Sequence, residues 1–345
     1  RGADAHGEEP RAAEPLGDEA EERLLVADGA ADLTAIADSG ALFRIGELRI
    51  QGLARYPERP VRDLAGFGAG TPATKQRLID YQERLLGAGL FDAATVSVDP
   101  DPAQADATPL TVVLRERPLQ ELTTGLGYGT AVGARGSLLY THRRAFGLDA
   151  IGRSNAELAQ RRQAWDGELR GYPGPGFWRW LVGGAYTREL SDTDETSSSR
   201  LRIGRSLDSR RVGRLVFAEL EHASFRNTLL PAGDPRARRS ADAVSAHYHL
   251  VWRDLDDMIL PTRGHVLSLQ TGLGWADGDP GGAGAYARLY GRYTVYRPLS
   301  ESWFAQARVE LGQVLRADGV QVPETLRFRT GGDDSVRGYV HRSLG

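Results

Sequence analysis

The sequence predicts a small α+β domain followed by an all-β, antiparallel transmembrane β-barrel. Three observations lead there. Residues 43–117 mix strand and helix patterns, and helical periodicity stops after Pro118. About eleven segments of 8–14 residues follow, each alternating apolar and polar side chains, the two-residue period of a strand with unlike faces. Finally, no window approaches 18 uninterrupted apolar residues, so helical spans are excluded and only strands could cross a bilayer.

Composition bounds the function. The 345 residues allow more than one domain. A net charge of −3 gives no basic excess for nucleic acid. The mean hydropathy of −0.39 reads as soluble, but alternating strands hide from such averages. With no cysteine, disulfide scaffolds and thiolate metal sites are excluded. No Ser-His-Asp arrangement, nucleophile elbow or cofactor motif is present, so neither an enzyme nor a cofactor is expected. The chain starts without Met and without a charged-then-apolar leader, and is expected to be a mature or truncated piece.

Residues 1–22, rich in Ala, Glu, Gly and Pro, read as a flexible lead-in. Two short strands around Asp28-Gly29 give a hairpin signal. Residues 1–42 are therefore expected to hold the lead-in and the end of a preceding domain. Within 43–117, "FRIGELRIQGL" is a strand with Leu48 and Ile50 on one side. "PVRDLAGF" is a short helix opened by proline. Thr71-Pro72 is expected to cap a second helix that aligns Leu78, Tyr81, Leu85 and Leu86 and ends at Gly87 and Gly89. "FDAATVSVDPD" and "TPLTVVLRERP" complete the order β-α-α-β-β.

Residues 118–345 are expected to form the N-terminal part of the barrel. The strands are expected at 122–130, 134–145, 152–161, 165–172, 177–190, 197–207, 214–226, 241–253, 264–276, 284–297 and 303–315. Each has one apolar face. Trp178, Trp180, Val182, Leu250, Trp252, Ala305, Ala307 and Val309 should share one side, and Arg179, His247, Arg308 and Glu310 the other. Alternation alone fits a soluble sandwich as well as a barrel. The unbroken meander and the aromatics near strand ends (Tyr128, Tyr140, Trp165, Trp178, Trp252, Trp275, Trp303) favour the barrel. So does an expected alternation of short turns ("GLDAI", "PGPG", "PLSES") with long loops ("SDTDETSS", "NTLLPAGDPRARRSAD").

Several clusters have competing readings. "RFRTGGDDSVRGY" at 327–339 lacks the Lys-Ser/Thr of a phosphate loop and the acidic spacing of a calcium loop. His247 and His249 could pair on a metal, but no third ligand is evident, so metal binding is not expected. Glu219 and Glu221 could pose as catalytic carboxylates; charge lining a wet lumen is the simpler reading. "DPRARR" at 234–239 reads as a solvated loop rather than a lipopolysaccharide site.

In this context the sequence resembles the outer-membrane assembly superfamily of BamA and TamA. Residues 43–117 resemble a POTRA (polypeptide-transport-associated) domain. Phe328, the step Gly331-Gly332-Asp333 and the tetrad Val336-Arg337-Gly338-Tyr339 match the superfamily's loop motif, and Pro261-Thr262-Arg263-Gly264 resembles its inner turn. The nearer branch is that of TamA, the translocation and assembly module subunit. The resemblance implies a sixteen-stranded barrel, of which about eleven strands are present, and further POTRA domains.

It also implies a Gram-negative outer-membrane location with the POTRA part in the periplasm. The implied function is inserting or translocating β-barrel and autotransporter clients. Nascent outer-membrane proteins, a TamB-like inner-membrane-anchored protein and outer-membrane lipids are the implied partners. The loop is expected to fold back into the barrel, with Arg337 paired to a carboxylate beyond residue 345. Gly125, Gly127 and Gly129 lie at alternate positions of the first strand, where glycine weakens pairing; they are expected at an opening seam or, in the simpler view, to fit neighbouring aromatics. A two-partner-type secretion pore is the alternative function.

Overall fold

The computed structural model describes residues 20–27, 30–37, 42–99, 101–129, 133–231 and 233–328. Strands β1 (Ala20–Ala27) and β2 (Ala30–Ala37) pair antiparallel, as a hairpin around Asp28-Gly29 requires. Then come β3 (Ile45–Gln51), α1 (Arg59–Ala65), α2 (Lys75–Gly87), β4 (Phe91–Val98) and β5 (Thr108–Glu116). These three strands form a sheet in the order β3-β5-β4, with β3 parallel to β5. By contacts, Gly52–Gly66, Tyr81–Ala94 and Leu114–Gly345 belong to one compact unit and the remaining residues to another.

Pro60 sits in the first turn of α1, where its missing N–H costs nothing, and Gly66 ends the helix at φ 68°. The expected cap of α2 is displaced. Thr74, not Thr71, stands before the first turn: its Oγ1 accepts from Arg77 N at 3.4 Å and its carbonyl from Leu78 N at 3.1 Å. Pro72 is instead held in a bridge to Arg44, which keeps that stretch extended. Tyr81 and Leu85 are fully buried, and the Tyr81 hydroxyl donates to Val61 O at 2.8 Å. Leu86, expected on the same face, remains exposed.

Glu116 closes the end of β5. Its carboxylate accepts from the backbone N–H groups of Ala54, Arg55 and Tyr56 at 2.8–3.0 Å. Burial alone would raise its pKa, but these three donors and the Arg55 charge outweigh it and hold the carboxyl below the usual glutamate range.

The remaining strands are β6 (Gln120–Gly129), β7 (Gly133–His142), β8 (Ala150–Ala159), β9 (Arg162–Gly171), β10 (Arg179–Leu190), β11 (Asp194–Asp208), β12 (Val212–Asn227), β13 (Arg238–Leu255), β14 (Gly264–Asp279), β15 (Gly284–Pro298) and β16 (Phe304–Arg316). They make one 11-stranded antiparallel sheet in chain order, with β6 and β16 at its two ends.

The expected alternation of short turns and long loops is not what the chain builds. "SDTDETSS" shrinks to a tight turn at 191–193, because β11 already starts at Asp194. Serine and threonine hydroxyls suit a strand that pairs across, as Ser197 and Ser224 do at 2.8 Å. On the other side 143–149, 172–178 and 256–263 are the longer connections; only 228–237 exceeds them.

The barrel reading rests instead on which face is covered. Leu201, Ile203, Leu220 and Leu273 are 56–69% exposed, whereas Glu219, Glu221, Ser245 and His247 are only 5–9% exposed. A soluble sandwich buries the opposite set. The pairing register keeps each face continuous: Leu201, Leu220, Val244 and Trp275 form one cross-strand row. Trp252, Leu267, Tyr293 and Val309 form another. Arg308 and Glu310 pair with Thr294 and Arg292 on the polar face, as alternation requires.

Val244 and Trp252 lie eight residues apart on β13, roughly 27 Å along a strand and roughly 20 Å along the normal at barrel tilt. The two rows thus bracket an apolar band close to membrane height, with aromatics at both levels. Among the described residues, no helix is long and apolar enough to cross a membrane.

Two outcomes follow. A nitroxide replacing Val244 should be accessible to lipid-soluble oxygen in vesicles, and one replacing Ser245 should not; reversed accessibilities would overturn the register. Glu116→Gln should cost roughly 1.5–3 kcal/mol, the worth of hydrogen bonds to a charged group. Because the folded pKa of Glu116 is depressed, its contribution is present at neutral pH. It should fade as pH falls from the ordinary glutamate value through the folded one, a loss that denaturant titrations of Glu116→Gln should not show.

Candidate functional site

The polar face of β11–β16 is built by strand alternation. Glu219 lies between Arg202 and Ser245 across the strands, and Glu221 between Arg200 and Ala243. Rows of carboxylate and guanidinium therefore adjoin, as charges withdrawn from water require. His247 stacks on Phe217 at 4.7 Å and shares a 2.8 Å hydrogen bond with Ser245. These contacts give it a structural place in the wall. Among the described residues no group of three could hold a metal ion.

After β16 the chain turns back across this face. Val320, Val322 and Leu326 pack with Ala243, Ala276 and Tyr286. The Thr325 hydroxyl donates to Glu221 Oε1. Arg288 Nε donates to Leu326 O at 3.3 Å, and its guanidinium carbon stands 4.4 Å from the centre of the Phe328 ring. Phe328 stacks on Tyr290 at 5.9 Å, and the Tyr290 hydroxyl donates to Glu310 at 2.8 Å. Gly312 makes room: a Cβ there would lie 2.8 Å from the Phe328 ring. The stretch leading into the motif is thus held on the polar face. Of the motif itself only Phe328 is described; Gly331, Gly332, Asp333, Val336, Arg337, Gly338 and Tyr339 lie outside the described residues.

The other predicted positions separate. Gly125 and Gly127 sit on β6, the strand at one end of the sheet, opposite Ser137 and Arg135 rather than aromatics; Gly129 pairs with Gly133. A Cβ on Gly127 would meet only the Arg135 side chain, at 3.2 Å. Pro261, Thr262 and Arg263 belong to the turn at 256–263, and Gly264 opens β14 with φ 123°, its would-be Cβ 2.0 Å from Asp254 O. Asp256 organises this turn. It accepts from the Thr262 hydroxyl at 2.6 Å and from the N–H groups of Arg263 and Thr262, contacts that hold its carboxyl well below the usual range. Asp257 accepts from Ile259 N and Leu260 N at 2.7 and 2.8 Å.

Sequence reasoning missed Arg143. Buried between β7 and β8, it donates to Gly89 O at 3.0 Å, Pro118 O at 2.7 Å and Glu121 Oε2 at 2.7 Å. Tyr172 donates its hydroxyl to Arg143 O. One side chain thereby fixes the end of α2, the linker after β5 and the start of β6. Nearby, Arg179 donates to Gly87 O at 3.0 Å, and Arg84 lies 4.8 Å over the Phe177 ring. Local sequence carries no signal for these contacts, whose partners are distant along the chain.

A sheet of membrane-spanning register, with a preceding β-α-α-β-β unit and a returning segment on its polar face, has counterparts among known proteins. Residues 178–345 match the Omp85 superfamily domain. In three dimensions the chain is similar to BamA from Haemophilus ducreyi lacking POTRA domains 1–3, at TM-score 0.63 and 16% identity, covering 95% of this chain and 66% of that one. It is also similar to CdiB from Acinetobacter baumannii, at TM-score 0.53 and 16% identity, covering 93% and 60%. For CdiB from Escherichia coli the values are 0.52 and 13%, covering 93% and 62%. Likeness at these identities establishes the fold. The chain spans at most about two thirds of each of these proteins. The Omp85 match covers residues 178–345 alone, and neither it nor the structural likenesses single out one branch such as TamA.

Leu326→Ala should loosen the returning segment at a cost of roughly 2–5 kcal/mol. Protease cutting near 320–328 should speed up in Leu326→Ala and in Arg288→Gln while the strands stay intact; unchanged cutting in both would show that the polar face does not hold the segment.

Proposed function

We propose that the protein is an outer-membrane protein assembly factor of a Gram-negative bacterium, with the β-α-α-β-β unit as a periplasmic POTRA domain. The observation that carries this reading is the inverted burial of the eleven-stranded sheet, apolar side chains outward and carboxylates covered. The Omp85 match of residues 178–345 supports it, as does the returning segment that leads into the tetrad motif. A passive pore would explain neither that segment nor the preceding unit.

The work proposed is non-covalent. An exposed sheet edge in the POTRA domain takes up an extended client by strand addition, and β6 offers a second, weak edge. Its glycines Gly125, Gly127 and Gly129 bring little side-chain packing to that edge. Clients would be nascent β-barrels or autotransporters, with a TamB-like protein as partner in the TamA case. In the same reading Arg337 holds the loop tip to a carboxylate by its planar fork. The second reading, a two-partner-type secretion pore, is favoured by the likeness to CdiB alongside BamA.

The full-length protein in phospholipid vesicles should speed the folding of a urea-denatured barrel client severalfold over empty vesicles, read by heat-modifiability on gels. Gly127→Val, which only the flexible Arg135 side chain opposes, should stiffen β6 and slow the client without changing the protein's own heat shift. Arg337→Ala should also slow it, and Arg337→Lys only partly restore it. Equal rates with and without the protein would refute assembly; a substrate that crosses the vesicle without inserting would favour secretion.

A further inference from the structure

On the apolar face, at the level of the Trp252 row, lies a pocket of about 370 Å³. Arg263, His265, Tyr293, Val295 and Arg297 are among its lining residues. Strand register explains the grouping: His265 pairs with Val295, and Tyr293, Val295 and Arg297 alternate onto one face of β15. The rings are in sequence, Trp252 to His265 at 5.0 Å and His265 to Tyr293 at 5.9 Å.

The two arginines lack an obvious purpose in the fold. Among the described residues neither guanidinium has a hydrogen bond or an ion pair, a condition they share with Arg214 and Arg226 of the same sheet; what distinguishes them is that both line one pocket. The acidic groups of the same turn are committed elsewhere: Asp256 and Asp257 accept from backbone N–H groups and Thr262. Two cations thus converge on one pocket without an ion pair, although the Asp254 carboxylate stands across from His265 on the same face. The turn also leaves Ile259 87% and Leu260 77% exposed, side chains that water disfavours and a lipid leaflet would take up.

Depth argues for the occupant. Arg297 lies four residues past Tyr293 on β15, roughly 10 Å further along the bilayer normal at barrel tilt. That is where hydrocarbon gives way to headgroups. We propose that Arg263 and Arg297 bind the phosphate of an anionic phospholipid headgroup in the leaflet at the level of the 256–263 turn, with Tyr293, His265 and Val295 against its upper acyl chain. Guanidinium forks suit phosphate oxygens bidentately. Placed beside the Asp256-braced turn, the site would fix the height of β13–β15 in the membrane. This rests on the membrane reading above.

Trp252 reports on the pocket. Full-length protein is reconstituted into phosphatidylcholine vesicles containing a small fraction of phosphatidylglycerol or phosphatidylcholine brominated on the upper acyl chain. The Trp252 share of fluorescence quenching is taken as the difference from Trp252→Phe. Brominated phosphatidylglycerol should quench it preferentially, by about fivefold in relative association for each arginine. The double variant R263Q/R297Q should bring the ratio to one, and R263K/R297K should keep part of it because the charge remains.

Equal quenching by the two lipids in the wild type would overturn the site while leaving the membrane reading intact, and so would a preference that survives R263Q/R297Q. Loss of the preference on adding inorganic phosphate would make soluble phosphate the occupant and overturn the lipid. No quenching of any tryptophan by either lipid would remove the membrane reading, and the site with it.

Discussion

Arg288 holds together what the rest of the polar face needs. A sheet that turns Glu219, Glu221 and His247 away from water must supply partners for them, because an unpaired buried charge is costly. Arg288 faces those carboxylates from β15, caps the Leu326 carbonyl and lies over the Phe328 ring. The returning segment adds the Thr325 hydroxyl to Glu221. Without that segment, Ala243, Ala276 and Tyr286 would line an open polar surface. With it they become a small core on the side of the sheet where a water-soluble protein would have none. The chain thus covers part of its polar face, around Glu221 and Tyr286, with its own residues 320–328.

A second constraint acts at the other end of the sheet. β6 pairs with β7 alone among the described residues and would fray if nothing held its start. Arg143 supplies the hold through Pro118 O and Glu121, and ties both to Gly89. The end of α2 and the first strand are therefore fastened at one buried guanidinium. The glycines follow only beyond that point, at 125, 127 and 129. A firmly anchored base with a weakly packed upper half is what the proposed opening of β6 from one end would need.

Much of this was legible from the residues. The eleven strands appear in the predicted order because a two-residue period is strict: a one-residue slip would reverse every side chain of a strand. For that reason Arg308 and Glu310 could be assigned to the face of Thr294 and Arg292. The period could not say which face is covered, since sandwich and barrel share it; only the packing of 320–328 and the exposure of Leu201 and Leu273 decide. Loop length was misread at 194–196, where polarity mimics a loop although Glu195 and Thr196 sit in a ladder. The cap of α2 was misplaced by three residues because Thr71-Pro72 carries the right chemistry, and a tertiary bridge to Arg44 claims it first. Arg143 and Arg288 were invisible, since their partners are 25, 38 or 54 positions away.

The inner turn shows how such local and distant constraints combine. Gly264 is required by its positive φ and by the approach of Asp254 O to within 2.0 Å of where a Cβ would be. Thr262 is required as a donor to Asp256, and the proline before it stiffens the turn. Three of the four residues of Pro261-Thr262-Arg263-Gly264 therefore have reasons internal to the turn. Arg263 has none: its backbone serves Asp256, but its guanidinium serves nothing within the described fold. Side chains that the fold does not need are the ones free to answer to what surrounds it. At the edge of an apolar face, beside Arg297 in the same condition, the proposed phosphate site gives Arg263 the partner that the fold itself does not supply.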